Sequence, residues 1–374
     1  MRTLALRYEA DAVFTEEVID RRVLKSVRTE NKALGTVDYV VSNAKSLPFQ
    51  TCSLERGRVV YQIGTGASVH ALKAAQHVEC DAAAVDINMG CPKKFSMQGG
   101  MGAALLKLPE VAADIIGTLR RNLSVPVSAK IRLLDDDKST VELARRLEKA
   151  GVCALTVHCR RLEDEPHTKA QWERLTPVVD ALNIPVVANG DVYSRADISA
   201  VKDLTGCSSV MLARPALLNC SVFKKGGNIL PLKEVILQYI RECIRYDSLQ
   251  QSAKYTVMEM MNKRRHPDHL KSKLKIDLPV GSPNMAEVCQ AKTLKDLATT
   301  WGIGQEYYQE LERRRSQMEL HAIKGDLTSA PRETYHKYDD AYFLVGSPRG
   351  RESPNSMCTK RSSSEVDGFR DTGG

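Results

Sequence analysis

The sequence predicts an α/β chain whose main body, residues 1–225, is a (β/α)8 barrel of the TIM type, followed by a small all-helical domain at 226–323 and a disordered tail at 324–374. Three observations lead there. From Asp11 to Arg214, short β-branched segments alternate with longer helical patterns, as parallel strands and their covering helices do. At the C-terminal ends of these segments stand polar or charged residues, where barrels keep their chemistry. Beyond Arg214, helical patterns follow one another without an intervening strand.

In chain order the expected strands are ADAVFT (10–15), RVVYQIG (58–64), AAAVDIN (82–88), VPVSAKIR (125–132), CALTVHCR (153–160), IPVVANGD (184–191) and SSVMLAR (208–214). The third is small or β-branched throughout, which suits a strand covered on both faces. Gly99, Gly100 and Gly102 then open a helix expected to begin at Ala103. PEVAADIIGTLRRN (109–122) and VELARRLEKAG (141–151) have one apolar face each, and Gly151 is a stop signal for the second. In the helical domain the patterns are 231–247, 252–265, 282–302 and 305–323, with Ser282 and Pro283 expected as cap and first-turn proline. From Lys324 on, Gly, Ser, Pro, Arg and Asp dominate, the composition of a chain that cannot build a core.

Composition excludes several classes. No apolar run approaches the roughly 20 residues of a membrane helix. MRTLALRYEADAVF has neither a secretory h-region nor the acid-poor character of a transit peptide, so the cytoplasm is the expected compartment. Ten cysteines occur with no C-x-x-C pair, so no metal site is expected and most thiols should be free. A net charge of +8 permits a polyanionic partner.

The strand ends carry Gln62, Asn88 with Cys91, Lys130, His158 with Arg160, Asn189 with Gly190, and Arg214. If the strands close into a barrel, these side chains converge on one mouth. Asn189, Gly190 and Asp191, with Ala213 and Arg214 one strand over, suit a phosphomonoester such as that of FMN; ordinary turn chemistry is the rival reading. Lys130 stands in an apolar strand and needs a partner. A cation there would stabilise an anionic reduced flavin, with Gln62 and His158 at the same ring edge. A buried ion pair for Lys130 and a core histidine for His158 are the alternatives. Cys91, flanked by Gly90 and Pro92 and near Lys93 and Lys94, is not in an apolar setting, and a largely protonated thiol can serve as a general acid.

NMGCPKK (88–94) followed by QGGMGAALL (98–106), with YQIG, AKIR, VHCR, ANGD and MLARPAL in order, resembles the FMN-dependent tRNA-dihydrouridine synthases, most closely the eukaryotic type that modifies position 20. The resemblance covers roughly residues 1 to 250. It implies flavin contacts from Gln62, Lys130, His158, Asn189, Gly190, Asp191, Ala213 and Arg214, a proton donor at Cys91, and Asn88 between flavin and substrate base. It further implies NADPH or NADH as reductant and tRNA as partner. The substrate set is expected to include Lys93, Lys94 and Arg160. In the helical domain, basic residues outnumber acidic ones by nine to four between Arg241 and Lys275, and Lys263, Arg264 and Arg265 are the expected phosphate contacts, with a solvated charged face as the bland alternative.

Family members begin with a further strand that lines the flavin, and this sequence starts after it, so the barrel is expected to lack its first strand, to have two open edges and to hold FMN weakly. No double-stranded RNA-binding domain is recognised after Lys324. A monomer is expected. Two other functions compete: a small-molecule flavin barrel of the dihydroorotate or ene-reductase kind, for which the basic helical domain has no use, and a flavin-free RNA- or protein-binding remnant, which flavin absorbance would exclude.

Overall fold

In the computed structural model, residues 1–44, 46–262, 270 and 273–323 are described. Among them eleven strands are formed: β1 (Val13–Phe14), β2 (Val18–Ile19), β3 (Val27–Asn31), β4 (Thr36–Val40), β5 (Phe49–Cys52), β6 (Val59–Gly64), β7 (Ala84–Asn88), β8 (Val127–Arg132), β9 (Leu155–His158), β10 (Val186–Asn189) and β11 (Ser209–Met211). The main sheet runs β1-β6-β7-β8-β9-β10-β11, every pair parallel, with β2 also paired to β6. All seven expected strands are present. Among the described residues β1 and β11 are the unpaired edges, so the sheet is a curled, open barrel, and a cavity of about 1310 Å³ lies along those edges.

The covering helices follow from their sequences. Helix Pro109–Asn122 begins on proline, whose missing N–H is no loss there, and buries Ala112, Ile115, Ile116 and Leu119. Helix Asp137–Ala150 starts four residues before the expected Val141, because the Asp136 side chain caps it by accepting from the Ser139 amide, and it ends where Gly151 turns left-handed at φ +108°.

Three expectations need correction. The chain does not enter a helix at Ala103: a short helix Lys94–Gln98 comes first, then a 3-10 stretch Gly102–Lys107. A helix running through Leu108 would clash with Pro109, which opens its own helix. The 282–302 pattern divides into Met285–Gln290 and Leu294–Thr300, and the cap is Asn284, not Ser282. Asn284 and Glu287 form a capping box, and Thr293 with Asp296 forms the next. Between β2 and β6 the sequence reading had no strands, yet β3, β4 and β5 form an antiparallel sheet there, tied to the barrel by the Tyr39 hydroxyl and Arg28 on Asp81.

The helical region lies against the barrel, and one continuous buried cluster runs from Leu4 and Val59 through Ile236 and Val257 to Leu297. Arg7 Nε donates to Glu242 at 2.9 Å across that junction. No helix among the described residues is long and apolar enough to cross a membrane. The 252–265 pattern is helical from Gln250 to Met261. Lys263, Arg264, Arg265 and the tail 324–374 lie outside the described residues.

Ile116 is fully buried between helix and sheet. Ile116→Ala is expected to lower unfolding free energy by ~2–5 kcal/mol, through lost transfer energy and the cavity left behind. Urea titration followed by circular dichroism measures it.

Candidate active site

The strand ends on which the sequence reading rested come together through β7. Asn88 pairs in register with Lys130 of β8, and Gln62 of β6 pairs with Asp86. Their side chains form one chain of hydrogen bonds. The Ser128 hydroxyl donates to Asp86 Oδ1 at 2.6 Å, Gln62 Nε2 donates to Asp86 Oδ2 at 2.8 Å, and Asn88 Nδ2 donates to Gln62 Oε1 at 3.0 Å. Asn88 Oδ1 then accepts from the backbone amides of both Gly90 (2.9 Å) and Cys91 (3.0 Å). A strand end followed by a turn would leave those amides unpaired, and the asparagine side chain satisfies both.

The loop so formed is held from its other side as well. Arg132 Nε donates to the Gly90 carbonyl at 2.9 Å, and the Ala103 amide donates to the Cys91 carbonyl at 3.0 Å. Gly102, at φ +58°, lets the returning chain come this close: a Cβ there would sit 2.7 Å from the Cys91 carbonyl oxygen and 2.9 Å from Cys91 Cβ. Cys91 is thus a half-buried thiol on a fixed loop. Burial pushes it above its ordinary value; the Lys93 amide opposes this and the Glu17 carboxylate adds to it. It is a neutral thiol at pH 7 and can give up a proton. Lys93 and Lys94 are exposed beside it.

Asp86 is completely buried. Burial raises its pKa to about 6 despite the bonds from Ser128 and Gln62. Burial likewise lowers Lys130 to about 8, while Asp86 holds its charge in place. The Lys130 ammonium forms no hydrogen bond or ion pair among the described residues. It presents a desolvated cation at the sheet mouth, suited to an anion or an electron-rich ring edge.

His158 is driven down to about 3, first by burial and then by Lys130, Arg132, Arg160 and Arg214, so it is a neutral imidazole. Arg160 Nη1 lies 3.1 Å from its Nε2, and a guanidinium can only donate, which assigns the proton to Nδ1. Gly190, at φ +118°, packs on this ring: a Cβ would come within 3.2 Å of His158 Cδ2 and 3.0 Å of Ala170. The Asn189 side chain donates to the Met211 carbonyl at 2.9 Å and secures the β10 to β11 junction. Ala213 sits just before the short helix Arg214–Leu218.

Three of the expected site residues are joined in one clamp. Arg160, expected at the substrate, is 3% exposed; its Nη2 donates to both Asp191 carboxylate oxygens, at 2.6 and 2.7 Å, and its Nε donates to the Thr168 carbonyl. Asp191, expected at the cofactor, spends its carboxylate on Arg160, Arg214, the Ala170 amide and the Tyr193 hydroxyl. Arg214 keeps its partly exposed guanidinium over the Tyr193 ring at 5.3 Å, anchored by Asp191 at 2.6 Å. The basic count of 241–275 also overstates free charge. Arg241 is paired with Glu306, Arg245 with Glu242 and Lys273 with Asp197, and Lys254 bonds the Cys289 and Ala291 carbonyls. Asp86, Ser128, Arg132 and Glu17 escaped the sequence reading. For Asp86 a signal existed, since a carboxylate inside an apolar strand needs partners as much as Lys130 does.

His158 makes stability pH-dependent. Unfolded, it binds a proton below about pH 6.5, whereas folded it stays neutral to about 3. Stability is therefore lost as pH falls through this window, by at most about 1.4 kcal/mol per pH unit for one proton. In His158→Gln that slope should flatten, as urea midpoints measured at pH 4.5, 5.5 and 6.5 would reveal.

A sequence profile of the family described as dihydrouridine synthase (Dus) matches residues 11–279. The tRNA-dihydrouridine(20) synthase [NAD(P)+] of Schizosaccharomyces pombe is 32% identical over 271 residues, covering 70% of this chain and 56% of the relative. The protein of the same name from Saccharomyces cerevisiae is 39% identical over 209 residues, covering 52% and 54%. The human tRNA-dihydrouridine(20a/20b) synthase [NAD(P)+]-like protein is 32% identical over 243 residues, covering 62% and 68%. The chain spans about half the length of the two yeast relatives. With its profile match running across the whole open barrel and into the helical region, the chain belongs to the dihydrouridine synthase family.

Proposed function

We propose that this protein reduces uridine to 5,6-dihydrouridine in tRNA, with FMN as cofactor and NADPH or NADH as reductant. The observation that carries the reading is the neutral Cys91 thiol, fixed by the Asn88 turn at the end of β7 and one strand from the unpaired Lys130. Saturating the C5–C6 bond of uracil requires a hydride at C6 and a proton at C5, and the Cys91 Sγ–H supplies the proton. The yeast relatives carry this activity in their names.

FMN, when bound in its reduced form, supplies the hydride. The residues present fit it. Lys130 is a desolvated cation with no bonding partner among the described residues, His158 has Nδ1–H available as a donor, and Gly190 leaves no side chain over the β10 end. Arg214 has one face of its guanidinium still exposed toward a phosphate, with Asp191 behind it. Gln62 and Asn88 contribute chiefly by holding the acid loop, since their polar atoms already bond to each other, to Asp86 and to the loop amides. Lys130 additionally offers its charge to the electron density that gathers on the uracil C5 and O4 side as C6 takes the hydride, before C5 is protonated.

For tRNA, Lys93 and Lys94 stand exposed beside the acid, and Lys263, Arg264 and Arg265 are proposed as phosphate contacts from the helical domain, 226–323. The target uracil must leave its stack to reach Cys91, at a cost of a few kcal/mol that phosphate contacts elsewhere offset.

The test is incubation of unmodified tRNA with the protein, FMN and NADPH, followed by mass spectrometry of the nucleosides. A two-hydrogen gain at uridine is expected. Cys91→Ala should lower that rate by at least 100-fold, the lower range for removing a general acid, while flavin absorbance and tRNA retention stay unchanged. Full activity in Cys91→Ala would remove the assigned role.

A further inference from the structure

We propose that Asp86 is a positioning residue for Cys91: its carboxylate is the acceptor that sets which way round the Gln62 and Asn88 amides stand, so that the Asn88 oxygen faces the Cys91 amide. The consequence for catalysis rests on Cys91 acting as the acid; the ordering of the amides does not.

Backbone register brings the parts together. Gln62, Asp86 and Ser128 are in-register neighbours on β6, β7 and β8, and Asn88, two residues beyond Asp86, lies on the same face of β7. The hydrogen bonds therefore run from strand to strand and then up to the loop, from Ser128 to Asp86, Gln62, Asn88 and finally the amides of Gly90 and Cys91. Gln62, Asp86 and Ser128 are buried, so a mismatched junction among them costs the desolvation of a polar group with nothing in return.

The oxygen and nitrogen of an amide have nearly the same shape, so its partners decide which faces where. The two ends of this relay leave no choice. An ionised carboxylate accepts and cannot donate, whereas backbone N–H groups donate and cannot accept. Asp86, with a pKa of about 6, is ionised at pH 7. Two amides between those ends allow four arrangements, and one of them sets a donor against an acceptor at every junction: Gln62 Nε2 on Asp86, Asn88 Nδ2 on Gln62 Oε1, and Asn88 Oδ1 on the loop amides. Turning either amide, or both, sets like against like at two junctions. A neutral amide at 86 could present its NH2 to Gln62 and admit such a mismatch. A carboxylate is the same on both sides, and the Ser128 hydroxyl at 2.6 Å occupies its other oxygen.

Polarity of this kind makes a demand that packing does not: acid and amide can be exchanged. Gln62→Glu sets two carboxylates against each other across the 2.8 Å contact and breaks that junction. Adding Asp86→Asn restores it with the charge moved one strand over. The introduced asparagine keeps its oxygen for Ser128 and donates its NH2 to the introduced glutamate, whose second oxygen accepts from Asn88. Each exchange is isosteric, and the double variant has the wild-type net charge.

Hydrogen exchange of the Gly90 and Cys91 amides, read by NMR in the free protein at pH 7, reports whether Asn88 Oδ1 still holds them. Exchange at Cys91 should rise about 10-fold or more in Gln62→Glu and return to within about threefold of wild type in Gln62→Glu/Asp86→Asn, while the amide of buried Ile116 stays unchanged. Wild-type exchange in Gln62→Glu overturns the proposal, as does exchange in the double variant no slower than in Gln62→Glu. Should Gln62→Glu fail to fold, the double variant decides alone: folded with near wild-type exchange at Cys91, it supports the relay; unfolded or fast-exchanging, it overturns it. Neither flavin nor tRNA enters this measurement. If wild type fails to reduce tRNA while exchange behaves as expected, the functional reading fails and the ordering by Asp86 stands.

Discussion

The site depends on one side-chain oxygen. Asn88 Oδ1 accepts from the amides of Gly90 and Cys91, which converts the end of β7 into a tight turn and sets the cysteine at the sheet mouth. Everything around that contact serves to hold it. Gln62 and Asp86 fix the asparagine amide from below, Ser128 fixes Asp86, Arg132 takes the Gly90 carbonyl, and Gly102 lets the chain return against Cys91. Such networks are useful only when every member is satisfied, because each unpaired group in a dry interior carries its full desolvation penalty.

Charge in the site is arranged as two layers. Under the mouth, Asp191 gathers Arg160 and Arg214 and lies below the ordinary carboxylate range, its burial outweighed by the Arg160 bonds. Arg160 of that clamp lies against His158 Nε2, while burial first, and then Lys130, Arg132, Arg160 and Arg214, keep the imidazole neutral. Closer to the mouth, Lys130 keeps its charge against Asp86 without touching it. Arg160 is closed into the first layer, whereas Arg214 keeps an exposed face and the Lys130 ammonium has no hydrogen-bond or ion-pair partner among the described residues. Two arginines that looked alike as strand-end cations therefore differ, one buried as a support and the other half-exposed.

The sequence made most of the fold legible, because parallel strands buried on both faces are continuous apolar runs and their helices carry strong periodicity. All seven barrel segments and the helix Pro109–Asn122 were readable in this way. The β3–β5 sheet was not: its strands mix Arg, Glu, Asp, Gln and Thr with apolar residues and lack the period that marks a buried strand. Cys91, Lys130 and Asn88 stood out because a polar group at the end of an apolar strand needs a partner, and Asn88 finds its own in the Gly90 and Cys91 amides. Asp191 and Arg160 were visible as site residues, but whether they face ligand or each other depends on a contact between residues 31 apart.

The central claim is that Cys91 is held as a neutral thiol ready to give up a proton. Its most direct measurement is the Cys91 ¹³Cβ chemical shift in selectively labelled wild-type protein, followed from pH 6 to 10. The account predicts a thiol shift at pH 7 and a midpoint above the ordinary cysteine value of roughly 8.5. A thiolate shift at pH 7 would contradict it.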